Sequence, residues 1–296
     1  MKILLTGKNG QVGFELQRAL APLGEVIAVG QAECDLANPD ALRSLVRSVN
    51  PEVIVNPAAY TAVDKAESDQ ERAFLINAQA PEILGVEAAR LNALVVHYST
   101  DYVFNGRQER AYVEEDEVDP QSVYGQTKLA GEQALAQTGA RHLIFRTSWV
   151  VGAHGHNFAK TILRLAAERE SLNVVADQFG APTSAALIAD VTAQILGQYQ
   201  RLDDPKAFPF GLYHLTASGV THWCDYAKTL VAAAQAAGKP LKLTPEAIKA
   251  ISTAEYPVPA ARPANSRLNT QKLRSTFGLH LPDWQHGVAH ILSQIL

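Results

Sequence analysis

The sequence has 296 residues, of which 47% are hydrophobic and 19% charged. A chain of this length and hydrophobic content can bury a large core. A net charge of −4 and a pI near 6.1 exclude the basic surface that nucleic acids need, and no Lys/Arg run marks a membrane-binding patch. There is no signal peptide or bilayer-spanning apolar run, and Cys34 and Cys224 match no metal or redox spacing. We therefore predict a reduced, cytoplasmic protein without a metal site.

A glycine-rich turn follows the first strand-like segment, Lys2–Thr6, and leads into the amphipathic segment Phe14–Leu23. The turn contains Gly7, Gly10 and Gly13, so its spacing differs from the Gly-x-Gly-x-x-Gly fingerprint of many dinucleotide sites. Glycines allow a tight turn and let a ligand approach the free N–H groups of a helix start. Such a trio can be an ordinary turn, but its place between strand and helix predicts a pyrophosphate site.

The second predicted strand, Glu25–Val29, leaves the choice between NAD and NADP open. A strict NAD site has Asp or Glu at the end of this strand to hold the ribose hydroxyls. Here Gly30-Gln31 follows, with no basic residue either. Asp35-Leu36, just downstream, would flank the adenine; a loop or helix-capping role for Asp35 is an equal alternative.

The third predicted strand, Val53–Val55, leads into the small-residue loop Asn56–Thr61. Ligands of open α/β sheets bind at the carboxyl ends of strands, so this loop is a candidate cofactor contact. A helical stretch, Glu67–Asn92, follows. Asn77 within it has either a polar structural role or, as is commoner for Asn on a helix, a solvated side chain.

The fourth predicted strand, Leu94–Ser99, precedes a helix in which Tyr124 and Lys128 stand four residues apart. That spacing puts both side chains on one helix face. A nearby ammonium favours the phenolate, so the pair predicts a general acid that works near neutral pH. Thr100, at the strand end, would hold a substrate oxygen against Tyr124. The alternative is a chance pairing on a solvated helix face.

Strands and helices alternate through the fifth strand, Leu143–Arg146, which predicts parallel βαβ units. The fold class is α/β: a Rossmann-type doubly wound parallel sheet with a smaller C-terminal α/β substrate lobe. We assign residues 1–148 to the dinucleotide-binding domain and 149–296 mainly to a sugar-nucleotide-binding lobe. Helix 184–200 and strand 211–215 are expected to return to the first domain.

Together these features resemble one family, the extended short-chain dehydrogenases/reductases. Its marks are a glycine trio near the N-terminus, a Ser or Thr after strand four, and Tyr-x-x-x-Lys; here they are Gly7/Gly10/Gly13, Thr100 and Tyr124/Lys128. More specific runs resemble a branch that acts on dTDP-linked sugars. They extend over nearly the whole chain and include His97–Phe104, Val123–Glu132, Asp177–Thr183 and Arg262–Leu268. Pro57 is a departure, since an all-alanine run is usual after Asn56.

The resemblance implies reduction, by NADH or NADPH, of the C4 ketone of dTDP-6-deoxy-L-lyxo-4-hexulose. Tyr124 would protonate the developing alkoxide, Lys128 would hold the nicotinamide ribose and lower the Tyr124 pKa, and Thr100 would hydrogen-bond the carbonyl. The substrate-binding residues would be Thr100, Asp101, Trp149, Asn157, Gln178 and Arg262. The cofactor-binding residues would be Gly7, Gly10, Gln11, Val12, Gly13, Asp35, Leu36, Ala58, Ala59, Tyr60, Tyr98, Tyr124 and Lys128.

Two other functions fit the same resemblance. One is a different sugar-nucleotide reductase or epimerase of this fold. The other is a non-catalytic, nucleotide-binding subunit that regulates a partner enzyme, although such a protein is free to lose the Thr100, Tyr124 and Lys128 set that this chain retains. The expected partner is a small dTDP-sugar, not a nucleic acid or a membrane, and the expected assembly is a monomer or homodimer.

Overall fold

The computed structural model describes all residues, 1–296. The strands in chain order are β1 Lys2–Leu5, β2 Glu25–Ala28, β3 Val53–Asn56, β4 Leu94–Thr100, β5 Arg141–Thr147, β6 Val150–Val151, β7 Leu172–Val175, β8 Phe179–Gly180, β9 Thr183–Ser184, β10 Gly211–His214, β11 Thr221–His222 and β12 Ile248–Ile251. The helices are α1 Gln11–Leu20, α2 Pro39–Val49, α3 Val63–Ala66, α4 Gln70–Phe74, α5 Ala80–Leu91, α6 Val123–Gln137, α7 Phe158–Glu168, α8 Ala185–Gln200, α9 Trp223–Ala236, α10 Gln271–Phe277 and α11 Trp284–Ile295. None of these helices has both the length and the apolar character needed to cross a lipid bilayer.

The central sheet has six parallel strands in the order β2-β1-β3-β4-β5-β10. Alternate side chains of β1 enter different cores: Ile3 and Leu5 pack towards α1, α8 and α10, whereas Leu4 packs towards α2, α5 and α6. Helices therefore cover both faces, and the predicted α/β fold with a doubly wound parallel sheet is confirmed. The strand order reverses between β1 and β3, where such sheets bind ligands.

Two late elements lie against the central sheet. Strand β10 pairs with β5, with His214 opposite Arg146, and α8 packs on α1. The other late elements surround a separate apolar cluster built on α7, α9 and α11. Short strand pairs border it: β6 with β9, β7 with β12, and β8 with β11.

Two predicted helices differ from the observed ones. Helix α1 begins at Gln11, three residues before Phe14, because Gly10 is extended (φ −79°, ψ 164°) and already serves as the N-cap. The predicted helix Glu67–Asn92 begins only at Gln70, after the turn that follows α3, and contains a widened turn at Leu75–Gln79. Such π turns often occur at functional sites.

Candidate active site

The glycine turn after β1 is tightly packed and presents free N–H groups. Gly7 has φ +62°, and a Cβ on Gly13 would lie 2.0 Å from the Gly7 carbonyl oxygen. The N–H groups of Gln11, Val12 and Gly13 have no backbone acceptor, and no acidic residue stands in the first turn of α1. A pyrophosphate fits these donors at the positive end of the helix dipole. The residues present therefore fit a dinucleotide.

Gly13→Ala is expected to lower both fold stability and dinucleotide affinity. The new methyl group overlaps backbone atoms, which cannot move aside without opening the turn. We expect a loss of about 1–3 kcal/mol in the free energy of unfolding, measured by urea denaturation, and weaker NAD(P)H binding, measured by fluorescence titration. Gly197→Ala in α8 is the matched control, since its Cβ would have its nearest contact at an ordinary 3.6 Å. Equal stability and affinity of the two variants would contradict the assignment.

The loop after β3 is held beside the glycine turn by Asn77. Ala58 lies against Gly7, with its Cβ 2.9 Å from a Cβ built there. The Asn77 amide accepts from Tyr60 N at 2.8 Å and donates to Tyr60 O at 3.1 Å, which fixes the loop that contains Ala59. Asn77 is completely buried, so of its two interpretations the polar structural role is confirmed and the solvated side chain is wrong. Periodicity cannot show this, because the partner residues are distant in sequence.

The loop after β2 contains an acidic residue, Glu33, which the sequence interpretation missed. Its carboxylate accepts from Gly30 N at 2.8 Å and from Lys8 Nζ at 2.7 Å, and these two hydrogen bonds lower the pKa of Glu33. Glu33 stands twenty residues after Gly13, the usual distance of a ribose-binding acid from a glycine turn, so the spacing was the available signal.

The structure favours a structural role for Asp35 and Leu36, which were predicted to bind the cofactor. Asp35 accepts from Ala37 N and pairs with Arg72 at 2.9 Å. Leu36 is buried in the apolar cluster under α2. Cofactor binding by Leu36 stays a prediction, and its side chain also serves for packing.

Thr100 and Tyr124 meet at the carboxyl end of β4. Helix α6 starts there because the side chain of its N-cap residue, Ser122, accepts a hydrogen bond from Gly125 N. The helix also approaches Tyr102 closely at Gly125, where a Cβ would lie only 2.2 Å from Tyr102 O. The rings of Tyr102 and Tyr124 pack edge to face, with centroids 5.4 Å apart. Tyr102 N also donates to the Thr100 hydroxyl at 3.2 Å. These contacts fix the phenol relative to the strand end.

The Tyr124 pKa is raised, contrary to the expectation that Lys128 lowers it. Burial raises the pKa of Tyr124 to about 12, and its hydrogen bond with Thr100 only partly offsets this. Lys128 is not among the groups that shift this pKa, and its Nζ donates to Tyr98 O at 2.6 Å. Burial also lowers the pKa of Lys128 to about 8. The phenol therefore holds its proton at neutral pH, as a proton donor must.

Asp101 adds a buried carboxylate to this site. Its Oδ1 accepts from Thr100 Oγ1 at 3.1 Å, whereas its Oδ2 has no partner. Burial raises the pKa of Asp101 to about 6. Buried hydroxyls without partners also occur at the end of the neighbouring strand β5, at Thr147, which is opposite Thr100, and at Ser148. Unpaired buried polar atoms are costly, so they mark places where a polar ligand would gain hydrogen bonds.

The Tyr98 side chain lies away from this site, so the role in cofactor binding predicted for Tyr98 stays a prediction for its backbone. Its ring packs on Phe145 in the core below α8, and its hydroxyl hydrogen-bonds Thr192 Oγ1 at 2.8 Å. Only its backbone carbonyl reaches Lys128. Strand alternation places neighbouring side chains of β4 on opposite faces, so His97, not Tyr98, faces α6.

Trp149 and Gln178 belong to one aromatic cluster. Trp149 adopts φ +49° and stacks on Trp223 with centroids 3.6 Å apart. The Gln178 amide accepts from Trp223 Nε1 at 3.1 Å and donates to Thr253 at 3.0 Å. A Cβ on Gly180 would lie 2.7 Å from the Trp149 ring. The cluster thus holds Trp149 just after β5.

The two other predicted substrate residues are separate from this cluster. Asn157 caps α7 and donates to Gln11 Oε1 at 2.9 Å, which ties α7 to the glycine turn. Arg262 pairs with Asp64 at 2.8 Å and lies 6.0 Å from the centre of the Tyr102 ring, beside a cavity of about 180 Å³. The structure therefore brings Arg262, through Tyr102, next to Tyr124.

Sequence comparison finds full-length relatives. The family model described as "RmlD substrate binding domain" matches residues 1–296. The dTDP-4-dehydrorhamnose reductase of Escherichia coli K12 is 53% identical over 299 residues, covering 100% of this chain and 98% of that protein. The enzyme of the same name from Burkholderia thailandensis is 48% identical, covering 100% and 99%.

Solved structures of dTDP-4-dehydrorhamnose reductases are also similar to this chain over almost its full length. A dTDP-4-dehydrorhamnose reductase from Clostridium acetobutylicum superposes with a TM-score of 0.89 at 36% identity, covering 99% of each chain. The Bacillus anthracis enzyme in complex with NADP gives a TM-score of 0.88 at 33% identity, covering 99% of this chain and 100% of that one. A Thermus thermophilus UDP-glucose 4-epimerase with NAD, 18% identical over 100% of this chain and 99% of that one, shares the fold with a TM-score of 0.77.

Proposed function

The chain belongs to the dTDP-4-dehydrorhamnose reductase family, and from this membership we propose how its residues carry out the family's reaction. The chain is an NAD(P)H-dependent oxidoreductase that reduces the C4 ketone of dTDP-4-dehydro-L-rhamnose to dTDP-L-rhamnose, the last step of dTDP-rhamnose biosynthesis. The observation that supports the site assignment best is the meeting of Thr100 with Tyr124 at the end of β4.

Three residues carry the chemistry in this proposal. The nicotinamide supplies a hydride to C4 when bound. Thr100 donates to the C4 oxygen the hydroxyl hydrogen that it gives to Asp101 when no substrate is bound, and Tyr124 gives that oxygen its proton, which converts the ketone to a secondary alcohol. Lys128, one helical turn from Tyr124, holds the ribose hydroxyls and stabilises the phenolate that remains.

The substrate is held by groups from both parts of the chain. Asp101 and Trp149 face the sugar, and Asn157, Gln178 and Arg262 line the nucleotide side. Arg262 carries a positive charge that suits a diphosphate. Its guanidinium also pairs with Asp64, so it would contact both the diphosphate and this carboxylate. This division follows our proposal that residues 1–148 form the dinucleotide-binding domain and 149–296 mainly the sugar-nucleotide lobe.

The Lys8–Glu33 pair is expected to set the preference between NADH and NADPH. Anionic Glu33 suits a ribose 2′-hydroxyl and repels a 2′-phosphate, whereas Lys8 attracts the phosphate. Glu33→Gln should raise the affinity for NADPH relative to NADH about tenfold, and Lys8→Gln should lower it similarly. Calorimetric titration with each cofactor measures the ratio.

Asp40→Asn is the control for this experiment. It removes the same charge from an almost fully exposed carboxylate at the start of α2. It should leave the ratio unchanged. Unchanged ratios in both the Glu33 and the Lys8 variants would show that the pair has no part in cofactor selection.

The reaction itself is tested by following NADH and NADPH oxidation with and without the dTDP-4-keto-6-deoxy sugar. We expect oxidation only when the sugar is present, in an amount equal to the product formed. An epimerase would convert the sugar without net cofactor oxidation, and a regulatory subunit would do neither. Either result would contradict the proposed function.

A further inference from the structure

A buried chain of polar side chains connects β1 with the helix that carries Lys128. Thr6 Oγ1 lies 2.6 Å from Asn56 Oδ1, and the Asn56 Nδ2 atom lies 3.1 Å from His97 Nδ1. His97 Nε2 lies 3.4 Å from Lys128 Nζ. None of the four residues is more than 2% exposed. The mechanism above uses only the last of them.

Lys128 has no carboxylate partner. Its Nζ contacts only the Tyr98 carbonyl oxygen, at 2.6 Å, and His97 Nε2. An ammonium has three donor hydrogens and no acceptor, so a ring nitrogen that bonds to it must be unprotonated. Burial, and secondly the charge of Lys128, lowers the pKa of His97 well below its usual value, so the ring is neutral.

We propose that His97 is a positioning residue for Lys128: its unprotonated Nε2 accepts from the ammonium, while its Nδ1–H donates to the Asn56 amide oxygen. The proposal rests on the role assigned to Lys128 in the reductase site. With the Tyr98 carbonyl and His97 each taking one ammonium hydrogen, one N–H is left for a ligand on the helix face shared with Tyr124.

The Asn56 amide determines whether this arrangement is possible. With Asn56 Nδ2 towards the ring, the ring proton would be on Nε2 and would face the hydrogens of the ammonium. A half-turn of the amide exchanges its oxygen and nitrogen and keeps both distances. Asn56 then accepts from His97 and donates to the Thr6 hydroxyl, so every member of the chain has a partner.

The proposal predicts the tautomer of one of the nine histidines. In ¹⁵N NMR of the full-length protein at neutral pH, the His97 signals, assigned by their loss in His97→Gln, should show a protonated Nδ1 and an unprotonated Nε2. A protonated Nε2 would overturn the proposal. This readout needs neither substrate nor turnover, so it is separate from the test of the proposed function.

Two variants test the consequence for the cofactor. His97→Phe keeps a ring but removes the acceptor, so the NADPH dissociation constant should rise roughly tenfold, as for the loss of a hydrogen bond to a charged group. The dTDP dissociation constant should not change. His97→Gln offers an amide oxygen as a substitute acceptor and should recover part of the loss, which also keeps the test valid if His97→Phe does not fold.

Thr192→Val is the matched control. The substitution removes the buried hydrogen bond between Thr192 and Tyr98. The Tyr98 side chain lies on the face of β4 opposite to the His97 side chain. Its thermal stability should fall, while the NADPH dissociation constant and the His97 tautomer should stay as in wild type. If His97→Phe behaves like Thr192→Val, with lower stability but unchanged NADPH affinity, His97 is only structural and the proposal is wrong.

Discussion

Tyr124→Phe is expected to lower kcat by about 10²–10⁴, the usual contribution of a general acid, while the NADPH dissociation constant stays near its wild-type value. The substitution removes one oxygen atom and keeps the ring that packs against Tyr102. The C4 oxygen then has no proton donor beside Thr100, so hydride addition would leave an alkoxide with nothing to neutralise it. Steady-state kinetics and calorimetric titration measure the two quantities.

Tyr226→Phe is the control for this variant. It removes a buried tyrosine hydroxyl that has no hydrogen-bond partner, in α9. Its kcat should equal that of wild type. A Tyr124→Phe enzyme that also turns over at the wild-type rate would show that another group supplies the proton.

Lys128→Met is expected to lower kcat by roughly 10²-fold and to weaken cofactor binding, without lowering the stability of the fold. Lys128 is 2% exposed, and its ammonium forms no ion pair. Burying an unpaired charge is unfavourable, so replacing Lys128 by an apolar side chain of similar length should not lower the free energy of unfolding. Loss of function together with unchanged or higher thermal stability therefore identifies a residue kept for chemistry. A variant with normal kcat and normal cofactor affinity would refute both assigned roles.

The same residue predicts a pH dependence. Because the pKa of Lys128 is lowered to about 8, the ammonium is present below that pH and is lost as the pH rises through it. The wild-type kcat should therefore fall as the pH rises above about 8. In Lys128→Met this decline should be absent, because the titrating group is gone.

Patterns that act within one element were predictable from the sequence. The strands of the sheet follow from short apolar runs, and the glycine turn follows from its place between β1 and α1. Tyr124 and Lys128 could be paired because the helix fixes their spacing, and the apolar run Leu94–Tyr98 placed Thr100 at a strand end. All three lie on β4 and α6.

Features that depend on distant partners were not predictable in this way. The structural role of Asn77 depends on its hydrogen bond with Tyr60, and the role of His97 depends on its contacts with Asn56 and Lys128. The Tyr124 pKa was predicted with the wrong sign, because sequence spacing shows the nearby ammonium but not the burial that outweighs it. The burial of the Leu36 and Tyr98 side chains in the core also depends on distant partners and could not be read from the sequence.

The central claim is that the cofactor's hydride is added to C4 of dTDP-4-dehydro-L-rhamnose. Its most direct test is a reaction with NADPH that carries deuterium at the transferred position of the nicotinamide, followed by NMR of the product. We predict dTDP-L-rhamnose with one deuterium, on C4. A product without deuterium at C4, a different sugar, or unchanged NADPH in the presence of the ketone would contradict the account.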